Sequence, residues 1–253
     1  MRGFVRTTTK NSMMHDALAV ALLTFAAGAA MPLGACFAYW ERIRPQWLEQ
    51  EFRHSVIAFG GGALLAAVAL VLVPEGAKGL PTWAVALCFS LGGLCFMILD
   101  RALAAASGSS AQLTAMLSDF IPESLALGAA FSAGGQAGPL LALLIGIQNL
   151  PEGFNAYREL RSSTSLSARG VLLTFLLMSF LGPIAGLTGH FLLADAPEVV
   201  SGIMLFAAGG ILYLTFQDIA PQAQLKQHWA PPLGAIAGFL LGLIGQLLIA
   251  PQP

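Results

Sequence analysis

Charge is what this chain has least of. Asp, Glu, Lys and Arg make up only 10% of its 253 residues, against about 25% in an ordinary soluble domain. With 57% hydrophobic residues, a water-soluble enzyme or binding module is excluded, and the chain reads as an integral membrane protein. The few basic residues are scattered and the net charge is −1. No Lys/Arg block exists to track a phosphate backbone, so nucleic acid is excluded and the lipid bilayer remains as partner. Histidine is scarce too, at four residues, and none stands in a His-Glu-x-x-His arrangement or a comparable cluster. An intramembrane metalloenzyme therefore has no candidate centre, and no enzymatic activity is expected. The three cysteines, Cys36, Cys88 and Cys95, fall inside apolar runs without paired spacing and read as small packing residues.

What is abundant is apolar sequence in lengths that cross a bilayer. About 20 apolar residues make one span, and eight segments qualify: 16 to 40, 55 to 75, 81 to 106, 111 to 133, 137 to 158, 169 to 193, 199 to 221 and 230 to 250. The expected fold is therefore all-α, eight transmembrane helices in a single domain over 1–253. The first run is too long for the apolar part of a signal peptide, about 7 to 15 residues, and is read as a retained span. With an even number of spans both termini share a side. Placing them outside puts Arg42, Arg44, Arg53, Arg101, Arg158, Arg161, Arg169 and Lys226 inside and leaves only Arg2, Arg6, Lys10 and Lys78 outside. The positive-inside rule favours that orientation, and a bacterial cytoplasmic membrane is the expected location. Gly60, Gly61 and Gly62 lie within an apolar span without a following Lys, so they read as close helix packing and not as a phosphate loop.

Against this background the polar residues inside spans stand out, because an ionisable side chain near mid-bilayer costs about 2.5–3.5 kcal/mol even on the mildest scale. The fourth span, in "LSDFIPESLALG" (117 to 128), carries Asp119 and Glu123; the fifth, in "GIQNLPEGFNAY" (146 to 157), carries Gln148, Asn149 and Glu152. Asp119 and Glu123 are four apart, as are Gln148 and Glu152, so each pair shares a helix face. A short connection, "SAGGQAGP" (132 to 139), lets the two spans pack as an antiparallel hairpin and face their pairs together. Pro122 and Pro151 each take away an amide donor next to these residues, and broken helices at membrane depth are tolerated where they line a cavity. Three carboxylates cannot all stay ionised in one lipid-enclosed spot. A divalent cation relieves that conflict, entering as protons leave; a protonated hydrogen-bonded cluster or a proton relay is the alternative.

These residues also match a family. The Pro-Glu repeat in the fourth and fifth of eight spans resembles the ZIP (Zrt-, Irt-like protein) metal transporters, in particular their bacterial zinc-uptake branch. So do "HSVIAFGGGALLAAVALVLVPEG" (54 to 76) as the second span, "LGGLCFMILDRAL" (91 to 103) as the end of the third and "SGIMLFAAGGILYLTFQDIAP" (201 to 221) as the seventh. The resemblance implies a 3+2+3 bundle with the metal site between the fourth and fifth helices, and alternating-access transport of Zn, Mn or Fe toward the cytoplasm. It implies the ligands Asp119, where the family has histidine, Glu123, Gln148 and Glu152. Asn149 and His54, the latter on an exit path, are secondary candidates.

Two departures narrow this expectation. Phe120 stands where the family has asparagine, and Gly182, before Pro183, stands where a glutamate helps hold a second metal. The resemblance therefore implies a mononuclear site. With oxygen ligands in place of imidazole, the balance moves from strict zinc preference toward Mn(II) or Fe(II). The segment "RALAAASGSSAQ" (101 to 112) holds no histidine, so a metal-sensing loop there is not expected. No prosthetic group is expected, the metal being cargo, and a homodimer is compatible with the reading. The rival is a non-transporting metal sensor or scaffold derived from a transporter. The remaining polar positions read more simply: Glu75 as a solvated cap, Asp100 with Arg101 as a span terminus or ion pair, and His190 as interfacial, while Gln217 and Asp218 either assist the path or mark an aqueous helix end.

Overall fold

A computed structural model describes residues 2–41, 46–106, 109–132, 137–193, 196–225 and 228–249. Arg42, Arg44 and Lys226, used above for orientation, and the centre of the 132–139 connection lie outside the described residues. The architecture is an all-α bundle of eight helical rods. They are α1 (Arg2–Trp40), α2 (Gln46–Ala66, continued by a π segment Ala67–Leu72 and Val73–Ala77), α3 (Thr82–Ala106), α4 (Ser109–Ser132), α5 (Ala137–Ser163), α6 (Ala168–Ser179 and Leu181–Leu192), α7 (Pro197–Leu214, a π segment Thr215–Ile219 and Ala220–Ala223) and α8 (Ala230–Ile249).

Each expected span falls on one rod, but among the described residues six rods are long and apolar enough to cross a membrane: Met14–Trp40, Leu48–Ala77, Thr82–Leu103, Ala168–Leu192, Pro197–Ala223 and Ala230–Leu248. The fourth and fifth expected spans, now α4 and α5, are not among them. The reason is the polar set itself, since Asp119, Glu123, Gln148, Asn149 and Glu152 dilute their apolar runs. These two rods can tolerate it because their neighbours cover them. Leu127, Leu140, Leu141, Leu144, Ile145 and Leu160 are all buried within the bundle, whereas α3 and α8 present Leu87, Leu91, Leu94, Leu240 and Leu248 outward.

The prolines act differently from expectation. Both α4 and α5 run unbroken through Pro122 and Pro151. Breaks and wide turns occur elsewhere, each close to a proline. The α6 helix is interrupted at Phe180, three residues before Pro183, and the π segments of α2 and α7 end two residues before Pro74 and Pro221. A proline lacks the amide that would close the turn four residues back and its ring crowds that carbonyl. A π turn or a one-residue break absorbs the misfit.

In space the rods form two groups. One contains α1, α4, α5 and α6, with α1 lying along α5 and α6 and with α4 against α6 and α5. The other contains α2, α3, α7 and α8, in which α2 pairs with α8 and α3 with α7. The groups meet where α2 touches α5 and where α4 touches α7. The expected 3+2+3 division is thus one of chain order, and the helix neighbours sort four and four. Glycines set the close approaches: a Cβ at Gly153 would overlap the Met31 carbonyl oxygen on α1, and one at Gly62 would overlap the Ala235 carbonyl oxygen on α8. The three consecutive glycines of α2 each meet a different rod, Gly60 at Pro151 of α5, Gly61 at Ile219 of α7 and Gly62 on α8.

Candidate functional site

The two polar pairs meet where α4 crosses α5. Glu123 is 1% exposed and Gln148 is 4% exposed. The Gln148 Nε2 donates to both oxygens of the Glu123 carboxylate, at 2.6 and 2.8 Å. Placing the NH2 group against Glu123 turns the amide oxygen away from it, and that Gln148 Oε1 is buried with no hydrogen-bond partner among the described residues. One turn earlier on α4, the half-buried Asp119 lies within electrostatic reach of Glu152, Glu123 and Asp218, and its Oδ1 is likewise buried without a partner among the described residues.

Glu152 stands one turn beyond Gln148 and lines a small cavity of about 70 Å³ between α5, α2 and α7. The walls are Gln148, Pro151, Glu152 and Asn155 on one side and Ile57, Gly60, Gly61, Leu64 and Ile219 on the other. Among the described residues no group of three or more His, Cys, Asp or Glu side chains is gathered closely enough to hold a metal ion. Asp119, Glu123 and Glu152 nevertheless lie within electrostatic reach of one another. The Gln148 amide occupies the place beside the Glu123 carboxylate, and Glu152 lines the cavity against α2 and α7.

The secondary candidates sit elsewhere. Asn149 donates from Nδ2 to the Ala27 carbonyl at 2.9 Å, fastening α5 to α1. The Nδ1 of His54 lies 2.6 Å from the Gln50 carbonyl, in the N-terminal part of α2. Phe120 is fully buried, and its ring tip lies beside Gly28 of α1 and Gly182 of α6. Phe120 and Gly182, two of the positions where the sequence departs from the motif it resembles, are thus neighbours in space, and the ring fills the room that the glycine leaves.

Three polar positions have surroundings that the sequence did not announce. Asp100 accepts a hydrogen bond from the Tyr213 hydroxyl at 3.0 Å, joining α3 to α7. His190, two residues before the end of α6, is buried, with its ring against that of Phe191. Asp218 is half-buried, within electrostatic reach of Asp100 and of Asp119. Glu75 does pair with its neighbour Lys78, at 2.6 Å on the surface. Sequence reasoning missed Asn155, whose Oδ1 is buried without a partner among the described residues. Its signal was available in the sequence, since 148, 152 and 155 repeat at the helical spacing of one face. No family model matches the chain.

Proposed function

We propose that this protein carries divalent metal cations, Zn(II), Mn(II) or Fe(II), across the membrane toward the cytoplasm, through a single site built on Asp119, Glu123, Gln148 and Glu152. The observation that carries the reading is the pairing of a deeply buried carboxylate, Glu123, with buried acceptor oxygens of Asp119 and Gln148 that have no donor among the described residues. Buried acceptors are costly unless something electropositive satisfies them, and an ionisable residue at membrane depth is by default a functional one. The ZIP-like motifs, with Pro-Glu at both 122 and 151, support the same reading.

A cation arriving at this site exchanges part of its water for protein oxygens, and carboxylates that release protons neutralise its charge. Delivery to the other side needs the site to open in turn to each face, by movement of one helix group against the other. The metal is cargo that leaves chemically unchanged, so the proposal includes no enzymatic step. The working orientation has both termini outside, in a bacterial cytoplasmic membrane, and a homodimer is its proposed assembly.

The second reading is a metal sensor or scaffold that no longer transports. Two observations favour it: the Gln148 amide already caps Glu123, and no cluster of three metal-ligating side chains forms among the described residues. Reconstitution in liposomes separates the two. Uptake of Mn(II), Fe(II), Zn(II) or Cd(II) by the wild type, abolished in Glu123→Ala/Glu152→Ala, establishes transport through this site. Folded protein that takes up none of the four ions, yet gains thermal stability from one of them, is a sensor.

A further inference from the structure

Asn155 has no role in the site proposed above, yet it shares that site's cavity. It lies on α5 three residues beyond Glu152 and seven beyond Gln148, so the three side chains leave the helix along one face. All three line the same cavity of about 70 Å³. The Oδ1 of Asn155 and the Oε1 of Gln148 are both buried with no partner among the described residues, and Gln148 is 4% exposed. The opposite wall, Ile57, Gly60, Gly61, Leu64 and Ile219, offers no side-chain donor. Gln148 is held in its orientation by Glu123, whose two oxygens take its NH2 group. Two amide oxygens without donors and a carboxylate thus belong to residues lining one small cavity, and a cation entering it would satisfy them.

We infer that Asn155 is a cation ligand, acting with the Gln148 amide oxygen and the Glu152 carboxylate, and that it biases the site toward a hard, oxygen-seeking divalent ion such as Mn(II). The inference rests on the transport reading above and assigns roles within it: Glu123 positions the Gln148 amide. The cavity exceeds the about 10–15 Å³ that one water needs, so water can complete the shell. Neutral amide oxygens, carboxylate and water are the ligands that Mn(II) and Mg(II) accept in six-coordinate sites. Zn(II) prefers four ligands drawn from sulfur, imidazole and carboxylate.

The full chain in detergent is titrated with manganese chloride, bound Mn(II) being read as loss of the free-ion paramagnetic resonance signal, and zinc chloride is then added in competition. Asn155→Ala is expected to raise the Mn(II) dissociation constant at least about 10-fold, the lower end of what even an outer-shell partner is worth. Asn155→Asp is expected to retain binding, and Asn155→His to shift the competition toward Zn(II). Wild-type affinity in Asn155→Ala, with binding lost in Glu152→Gln, overturns the role of Asn155 and leaves the site standing. Absence of Mn(II) and Zn(II) binding in the wild type removes the transport reading and this inference with it. If Asn155→Ala does not fold, a Zn(II) to Mn(II) ratio in folded Asn155→His equal to that of wild type overturns the inference.

Discussion

Phe120 offers the sharpest test of how the centre is packed. Its ring tip reaches Gly28 and Gly182, where an added Cβ would come within 2.7 and 2.6 Å of Cζ. In lipid the transfer of a phenyl ring from the unfolded chain into the bundle gains little, because the surrounding tails are as apolar as the interior. What Phe120→Ala loses is mainly packing. At about 24 cal/mol per Å³, a residual cavity on the order of 100 Å³ costs about 2 kcal/mol. Gly28→Ala meets the same ring from the other side, and its remaining neighbours, the Ser179 Cα and carbonyl oxygen, stand at 3.0 and 3.1 Å. Overpacking of this kind costs about 1–3 kcal/mol. Shortening the ring should relieve it, so Gly28→Ala/Phe120→Leu should cost less than the sum of the two single changes by about 1 kcal/mol or more. The assay is unfolding in mixed micelles with increasing dodecyl sulfate, followed by circular dichroism. Strict additivity, or a Phe120→Ala variant as stable as wild type, would refute the reasoning.

The hydrogen bonds and ion pairs near the site yield two further predictions. Gln148→Leu removes the donor that serves both Glu123 oxygens and is expected to cost about 1–3 kcal/mol or more, seen as a lower melting temperature in detergent; an unchanged temperature refutes the role of the amide. Arg158 of α5 bonds Glu41 at the end of α1 at 2.9 Å and Glu49 in the first turn of α2, so only the second contact crosses between the two helix groups. Glu49→Gln is therefore expected to speed hydrogen exchange in the N-terminal turns of α2 while Glu41→Gln leaves them unchanged, at a stability cost of about 1 kcal/mol for these partly exposed charges.

Much of the fold was legible because its physics is local. Apolar length marked eight helices, and all eight form. The glycine run at 60–62 announced close approach, and each of the three glycines meets a different rod. The polar pairs at 119 and 123 and at 148 and 152 announced a shared face, and Glu123 and Gln148 do meet across the α4 and α5 contact. What the sequence hid depends on partners far along the chain. The Nδ2 of Asn149 finds its partner in Ala27, more than a hundred residues away, which the local sequence could not show. Pro122 and Pro151 look like breaks, but adjacent prolines in other rods take the irregularity. Asn155 was passed over because its place on the face of Gln148 and Glu152 takes on meaning only with the cavity that Gly60 and Ile219 close.

The same long-range partners decide where the bundle can move. Inside the group of α1, α4, α5 and α6, backbones touch: a Cβ at Gly34 would overlap the Leu150 carbonyl oxygen, one at Gly128 the Gly186 carbonyl oxygen and one at Gly189 the Leu125 carbonyl oxygen. Such contacts leave no slack for sliding without repacking. Where α2 meets α1 and α5, by contrast, two cavities of about 380 and 530 Å³ flank Leu150, walled by side chains such as Phe37, Phe52, Phe59 and Leu143 that can change rotamer. Displacing α5 relative to α2 therefore breaks few close backbone contacts, whereas displacing it relative to α1 breaks many. In the movement proposed for transport, the half of the site on α5 would travel with α1, α4 and α6, and the wall formed by Gly60, Gly61 and Ile219 would stay with the other group. A cation held by Gln148, Glu152 and Asn155 would thus move against that wall, and Arg158, bonded to one carboxylate on each side of the boundary, would have to release one of them.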